Sequence, residues 1–139
     1  TFPITSSIYQ AWVMRIFAIN LWGWRFSSVL AAVATVIPLY LLAHEWFDRR
    51  VGIIACVVML ANPYFLVFAR LGYNNSQALF PVTLCIYFFA IGARKGSTLY
   101  LWLAALATGL AFYTYFAAWI GAVTLFLAGI YLLAVAILS

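Results

Sequence analysis

The chain has 139 residues, of which 69% are hydrophobic and only 6% are charged, with a mean hydropathy of +1.14. Two acidic and seven basic residues cannot cover the surface of a soluble domain, so the composition predicts an integral membrane protein. The formal net charge of +5 does not indicate nucleic-acid binding, because the basic residues lie at the ends of apolar runs and mark membrane topology.

Residues 1–25 are predicted to form an interfacial, juxtamembrane segment that does not span the bilayer. Arg15 and Arg25 interrupt this segment, and two arginines would be costly inside hydrocarbon. Ile8, Trp12 and Ile16 recur at helical spacing. This pattern predicts an amphipathic helix that lies in the membrane interface.

Residues 26–139 are predicted to form an all-α transmembrane bundle, because a bilayer core about 30 Å thick needs roughly 20 apolar residues per helix. The stretch 96–139 carries no charge and is long enough for two helices. We place their break at residues 113–119, since Tyr and Trp concentrate at membrane interfaces. The five predicted spans are about 26–43, 51–69, 76–93, 98–114 and 118–138.

The basic residues between spans predict the orientation. Five spans place segments 44–50 and 94–97 on the same side of the membrane, and four basic residues lie there, against only Arg70 in the segments opposite. The positive-inside rule therefore predicts that 44–50 and 94–97 are cytoplasmic. The expected location is the cell membrane.

The sequence VFARLGYNNSQALFP, residues 67–81, concentrates polar side chains between apolar runs. A turn needs only Gly72 and one asparagine. Four side chains remain without a structural reason: Arg70, Tyr73, Asn75 and Gln77. On the predicted topology this run lies on the extracytoplasmic side with Arg25 and residues 113–119, so we expect the three regions to converge into a binding site.

An arginine at a membrane interface is also a common snorkelling anchor, and we keep that interpretation for Arg15. Cys56 and Cys85 lie inside apolar runs with no Cys or His at ligand spacing, so the sequence predicts no metal site and no cofactor. A transporter is disfavoured, because no predicted span carries an ionisable residue at its centre.

Several stretches resemble the membrane glycosyltransferases of the GT-C superfamily that are related to protein O-mannosyltransferases and the lipid A aminoarabinose transferase. The specific points are Arg25 ahead of the first span, the Phe-x-Arg-Arg motif that starts at Phe47, and Arg70. The resemblance covers nearly the whole chain. The matching stretches are GWRFSSVL (23–30), FDRRV (47–51), ANP (61–63), FARL (68–71) and TGLAF (108–112).

The resemblance implies a multispan GT-C fold and transfer of a sugar from a polyprenyl-phosphate carrier on the extracytoplasmic face. With that carrier as ligand, we expect Arg70 to bind the phosphate, because the guanidinium fork matches phosphate oxygens. Arg25 would be a second phosphate contact. Asn75 and Gln77 would hydrogen-bond a sugar or headgroup, and Tyr73 would pack against it.

The resemblance also implies that the catalytic carboxylate lies in an extracytoplasmic loop ahead of the matched region. Glu45 and Asp48 are predicted to be cytoplasmic, and Asn75, where many relatives have Asp, cannot take a proton. The chain is therefore expected to be the membrane portion of a larger enzyme, since both ends look cut. The alternative is a non-catalytic accessory subunit that packs against other subunits of a membrane complex. Whether the chain itself catalyses, and which sugar it would use, stays open.

Overall fold

The computed structural model describes residues 4–17, 19–72, 74–114 and 119–138, without the side chains of 74, 75, 132, 133, 136 and 137. Within these ranges every regular element is an α-helix, which confirms the predicted all-α membrane fold. The helices in chain order are α1 (Ile4–Phe17), α2 (Leu21–Trp46), α3 (Arg49–Ala61), α4 (Pro63–Leu71), α5 (Asn74–Lys95), α6 (Thr98–Thr114) and α7 (Trp119–Leu138).

Helix α1 packs against α2 and α6 through its polar side. Ser6, Gln10 and Val13 are buried, whereas the predicted apolar stripe of Ile8, Trp12 and Ile16 is exposed. An apolar stripe that points away from the protein needs an apolar neighbour, which lipid supplies. The predicted helix is present, and its position in the membrane interface stays a prediction.

Helix α2 contains the first predicted span and begins five residues before it, at Leu21. The Asn20 side chain accepts a hydrogen bond from the Gly23 backbone N–H at 3.0 Å, which satisfies a donor that the first turn leaves unpaired. Arg25 therefore lies inside the helix and not in a segment ahead of it. Arg25 belongs to the second turn of this 26-residue helix.

The second predicted span, 51–69, is bent and not straight. Helices α3 and α4 meet at an angle of 61°. Asn62 is extended, as the residue before a proline prefers, and Pro63 opens α4 at a position that needs no N–H donor. The Asn62 side chain accepts from the Tyr64 and Phe65 backbone N–H groups at 2.9 and 3.4 Å. The Asn-Pro pair thus ends one helix and starts the next.

The connection inside the polar run 67–81 is shorter than the predicted spans, which end at 69 and resume at 76, leave room for. Helix α4 continues to Leu71, and α5 begins at Asn74. Gly72 closes α4 in the left-handed conformation at φ 78°, where glycine has no Cβ penalty. This one cap lets the chain turn within two residues, so the polar side chains lie on helix ends.

The bundle is built on small residues. Helix α5 packs between α2 and α6, and close approach of helices through small side chains is typical of membrane proteins. The buried set includes Ser27, Ser28, Ala31, Ala32, Thr35, Cys85, Ala104, Ala107 and Ala111. Large apolar side chains are mostly exposed, as expected for surfaces that contact lipid.

By length and composition, α2 and the part of α5 from Ser76 to Lys95 suffice to cross a bilayer. The bent α3–α4 pair is either a third, broken span or a re-entrant loop. Among the described residues, α6 and α7 up to Tyr131 are shorter apolar helices. The five-span count stays a prediction that depends on these two helices.

The two segments predicted to be cytoplasmic meet at one end of the bundle. Arg94 Nη1 donates to the Glu45 backbone oxygen at 2.7 Å and pairs with Glu45 Oε1 at 3.2 Å. This contact joins the C-terminal ends of α2 and α5. It agrees with the prediction that both segments lie on the same side of the membrane.

Candidate functional site

A cavity of about 570 Å³ lies at the N-terminal end of α2, and both predicted phosphate-binding arginines line it. The lining residues are Phe17, Asn20, Trp22, Gly23, Arg25, Phe26, Val29 and Arg70. We call this the arginine cavity. Its volume lies within the range of small-molecule sites in proteins.

Arg70 reaches the arginine cavity from the last turn of α4. Its position is set by Gly72, the left-handed cap that ends the helix two residues later. The Gly72 carbonyl accepts a hydrogen bond from Gln10 Nε2 of α1 at 3.4 Å. A Cβ at Gly72 would lie 2.3 Å from two atoms of the Trp24 ring, so α4 ends in close contact with α2. Helices α1 and α2 therefore both fix the end of the helix that carries Arg70.

Arg25 reaches the same cavity from the second turn of α2. The N-terminus of a helix carries a partial positive charge and backbone donors, which together favour a bound anion. Asn20 and Gly23, at that N-terminus, are also lining residues. Two guanidinium groups and a helix N-terminus thus face one space, and the described lining contains no carboxylate to neutralise them.

The remaining walls of the arginine cavity are apolar. Phe17 and Phe26 lie with ring centroids 4.6 Å apart, and Trp22 and Val29 add further hydrophobic surface. Cationic groups beside aromatic and aliphatic walls suit a ligand with an anionic head and an apolar body. A lipid phosphate has this composition.

The other predicted site residues do not join the arginines in the described structure. Gln77 is buried, and its Nε2 donates to Ser28 Oγ at 3.2 Å. It lines a separate cavity together with Thr114. Tyr73 lies outside the described residues, and Asn75 is placed in the first turn of α5 without a described side chain.

The described residues of the aromatic break at 113–119 do not line the arginine cavity. Trp119 stacks on Phe112 at a centroid distance of 4.8 Å and an interplanar angle of 15°. Residues 115–118 lie outside the described part of the chain. The predicted convergence therefore holds for Arg25 with the end of α4, but not for the described aromatic residues of the break.

Sequence reasoning missed several residues that line the arginine cavity. Asn20 was identifiable in principle, because an asparagine directly ahead of a long apolar helix is a common N-cap. Trp22 lies in the predicted interfacial segment 1–25, where a tryptophan by itself indicates only a membrane interface. Phe17 carried no separate signal, since its inclusion depends on how α1 packs against α2.

Both carboxylates of the chain lie far from this cavity. Glu45 pairs with Arg94, and Asp48 Oδ1 accepts from the Val51 backbone N–H at 2.7 Å as the N-cap of α3. Along α2, the 20 residues between Arg25 and Glu45 correspond to roughly 30 Å, the thickness of a bilayer core. The described residues contain no cluster of three metal-ligating side chains.

Comparison with known proteins adds independent information. A family model described as dolichyl-phosphate-mannose-protein mannosyltransferase matches residues 2–138. An undecaprenyl phosphate-alpha-4-amino-4-deoxy-L-arabinose arabinosyl transferase of Pseudomonas paraeruginosa is 35% identical over 126 residues, which cover 85% of this chain and 23% of that protein. Proteins of the same name from two strains of Pseudomonas aeruginosa are 35% and 32% identical, and each match again covers 85% of this chain and 23% of the relative.

The chain thus spans about a quarter of the length of these curated relatives. No solved structure matches it. The family model covers almost every residue, which confirms the predicted relation to GT-C membrane glycosyltransferases. The chain belongs to the dolichyl-phosphate-mannose-protein mannosyltransferase family.

Proposed function

We propose that this chain is part of the membrane portion of a glycosyltransferase that takes its sugar from a polyprenyl-phosphate carrier. In this proposal the arginine cavity binds the carrier phosphate. The observation that carries the proposal is that Arg25 and Arg70, from separate helices and 45 residues apart in sequence, line one cavity. The names of the relatives, which include an undecaprenyl phosphate-linked sugar, support the same ligand class.

The chemistry of the lining fits each part of such a carrier. The two guanidinium groups and the N-terminus of α2 would bind the phosphate, because the planar guanidinium fork and the free backbone N–H groups match phosphate oxygens. The apolar walls at Phe26 and Val29 would contact the first isoprene units. Tyr73 and Asn75 keep their proposed contacts to the sugar or headgroup, whereas Gln77 faces a different cavity.

The chain's own residues would hold and orient the carrier, and the catalytic carboxylate would come from outside residues 1–139. This follows because Glu45 and Asp48 are engaged in structural contacts at the opposite end of α2. With segments 44–50 and 94–97 cytoplasmic, the arginine cavity opens toward the extracytoplasmic face of the cell membrane. Helix α1 then lies in the outer interface.

The test is binding of undecaprenyl phosphate to the full-length protein in lipid nanodiscs. Arg70→Lys keeps the charge but loses the planar fork, so affinity should fall roughly ten- to a hundredfold. Arg15→Lys is the matched control, because Arg15 is exposed and is not among the described lining residues. Undecaprenol, which lacks the phosphate, should bind both variants equally. Small and equal losses for the two variants would leave Arg70 as a snorkelling anchor and reject the site.

A further inference from the structure

A second cavity, of about 240 Å³, lies against a different face of α2 from the arginine cavity. Ala31 and Ala34 line the second cavity, whereas Phe26 and Val29 line the first. At 3.6 residues per turn the mean directions of these pairs differ by about 140°, so the two cavities lie on different faces of α2. The full lining of the second cavity is Thr5, Ser6, Tyr9, Ala31, Ala34, Gln77, Phe80, Pro81, Leu84, Leu110 and Thr114.

One polar atom in this second cavity lacks a partner. Gln77 is only 4% exposed, and its Nε2 donates to Ser28 Oγ, yet its Oε1 accepts no hydrogen bond within the described part of the chain. A buried acceptor without a donor costs about 1 to 3 kcal/mol. Such a cost is typically offset by a bound water or ligand.

Two hydroxyl groups of the lining, those of Tyr9 and Thr114, donate to backbone oxygens and not to Gln77 Oε1. The Tyr9 hydroxyl donates to the Ser27 backbone oxygen at 3.0 Å, and burial raises the pKa of this phenol, which keeps its proton in place. Thr114 Oγ1 donates to the Leu110 backbone oxygen at 2.6 Å. The described residues provide no donor to Gln77 Oε1, and a molecule that enters the cavity can provide one.

The rest of the lining determines what kind of molecule fits. No charged side chain is among the described lining residues, and Phe80, Pro81, Leu84 and Leu110 form an apolar wall. The lining extends from Gln77 to Leu84, roughly 10 Å along α5. The volume equals about eight waters at roughly 30 Å³ each, but an apolar wall offers too few partners to hold that many.

We propose that this second cavity binds the hydroxyl end of a neutral, long-chain lipid alcohol. The hydroxyl donates to Gln77 Oε1, and the first carbons of the chain lie along Phe80, Leu84 and Leu110. The site is independent of the arginine cavity, since α2 separates the two, and it requires a hydrogen-bond donor without a charge. It does not depend on the proposed transferase function.

Photolabelling of the full-length protein in nanodiscs tests the site with a matched pair of probes. One probe is a diazirine-bearing hexadecanol, and the other is its methyl ether, which has the same chain but no hydroxyl donor. We expect the alcohol to label peptides that contain Leu84 or Leu110 roughly three- to tenfold more than the ether does. Equal labelling by the two probes, or no labelling by either, would overturn the proposal.

Two variants make the test specific to this cavity. Gln77→Leu removes the acceptor and should reduce labelling by the alcohol to the level of the ether. Ala34→Leu fills the cavity while leaving Gln77 in place, and it should abolish labelling by both probes. Labelling that survives in both variants would contradict the site. Arg70→Lys should label like the unmodified protein, so failure of this proposal is distinguishable from failure of the phosphate site.

Discussion

Replacing Gly72 by alanine should destabilise the protein through two separable effects. The residue has φ 78°, and the left-handed conformation costs an L-residue about 1 to 2 kcal/mol. The new Cβ would also lie 2.3 Å from Trp24 Cδ1 and Nε1. Since ordinary contact starts at 3.4 Å, the indole must move by 1.1 Å, the difference between these two distances.

The total expected for Gly72→Ala is about 0.5 to 3 kcal/mol of lost unfolding free energy. Trp24 is 42% exposed and has room to turn, so its displacement adds about 0.5 to 1.5 kcal/mol for an off-rotamer side chain. Alanine also lowers the conformational entropy of the unfolded chain, which stabilises the folded state by about 0.4 to 1 kcal/mol and offsets part of this loss. Because Arg70 lies one turn or less from the cap, the variant should also weaken binding of undecaprenyl phosphate.

The chain offers two matched controls for this measurement. Gly96 also has a positive φ, 62°, but an added Cβ would meet nothing within 4 Å. Gly96→Ala should therefore lose only the free energy that the left-handed backbone costs an alanine. Gly109 lies in helix α6 with open space and ordinary φ, so Gly109→Ala should be neutral or stabilising. The assay is the fraction of protein that stays monodisperse after heating in detergent. Equal loss in Gly72→Ala and Gly96→Ala would refute the proposed contact with Trp24.

Two further predictions concern topology and the bend. A cysteine introduced at Gly96 should react with an impermeant thiol reagent from the cytoplasmic side only, because 94–97 is predicted to be cytoplasmic; reaction from outside would reverse the orientation. Asn62→Ala removes the acceptor for the Tyr64 and Phe65 N–H groups and should cost about 1 kcal/mol of stability in the same heating assay. An unchanged stability would show that Asn62 does not hold α4.

The membrane class and the approximate helices follow from hydropathy, because the bilayer fixes span length within narrow limits. The approach of Arg25 to Arg70 was also predictable. Both residues lie at apolar boundaries on the same predicted side, so topology alone brings them to one end of the bundle. The family relation followed from short motifs, which include those around these two arginines and the Phe-x-Arg-Arg motif at Phe47.

Hydropathy did not predict the angle between neighbouring helices or the neighbour that each polar side chain contacts. Hydropathy shows that 51–69 is apolar but carries no information on angle, so the bend at Asn62 was missed although the Asn-Pro pair was visible. The sequence places Gln77 in the arginine site because Gln77 belongs to the polar run 67–81. With α5 starting at Asn74, the helical period directs Gln77 toward Ser28 of α2.

The most direct test of the arginine cavity is a double-mutant cycle on undecaprenyl phosphate binding. Arg25→Gln, Arg70→Gln and the double variant are compared in the full-length protein. If both guanidinium groups bind one phosphate, their effects on binding free energy should be non-additive by about 0.5 to 3 kcal/mol. The cycle of Arg15 with Arg70 should be additive. Additivity of Arg25 with Arg70 within about 0.5 kcal/mol, or no loss of affinity in any variant, would contradict a shared phosphate site.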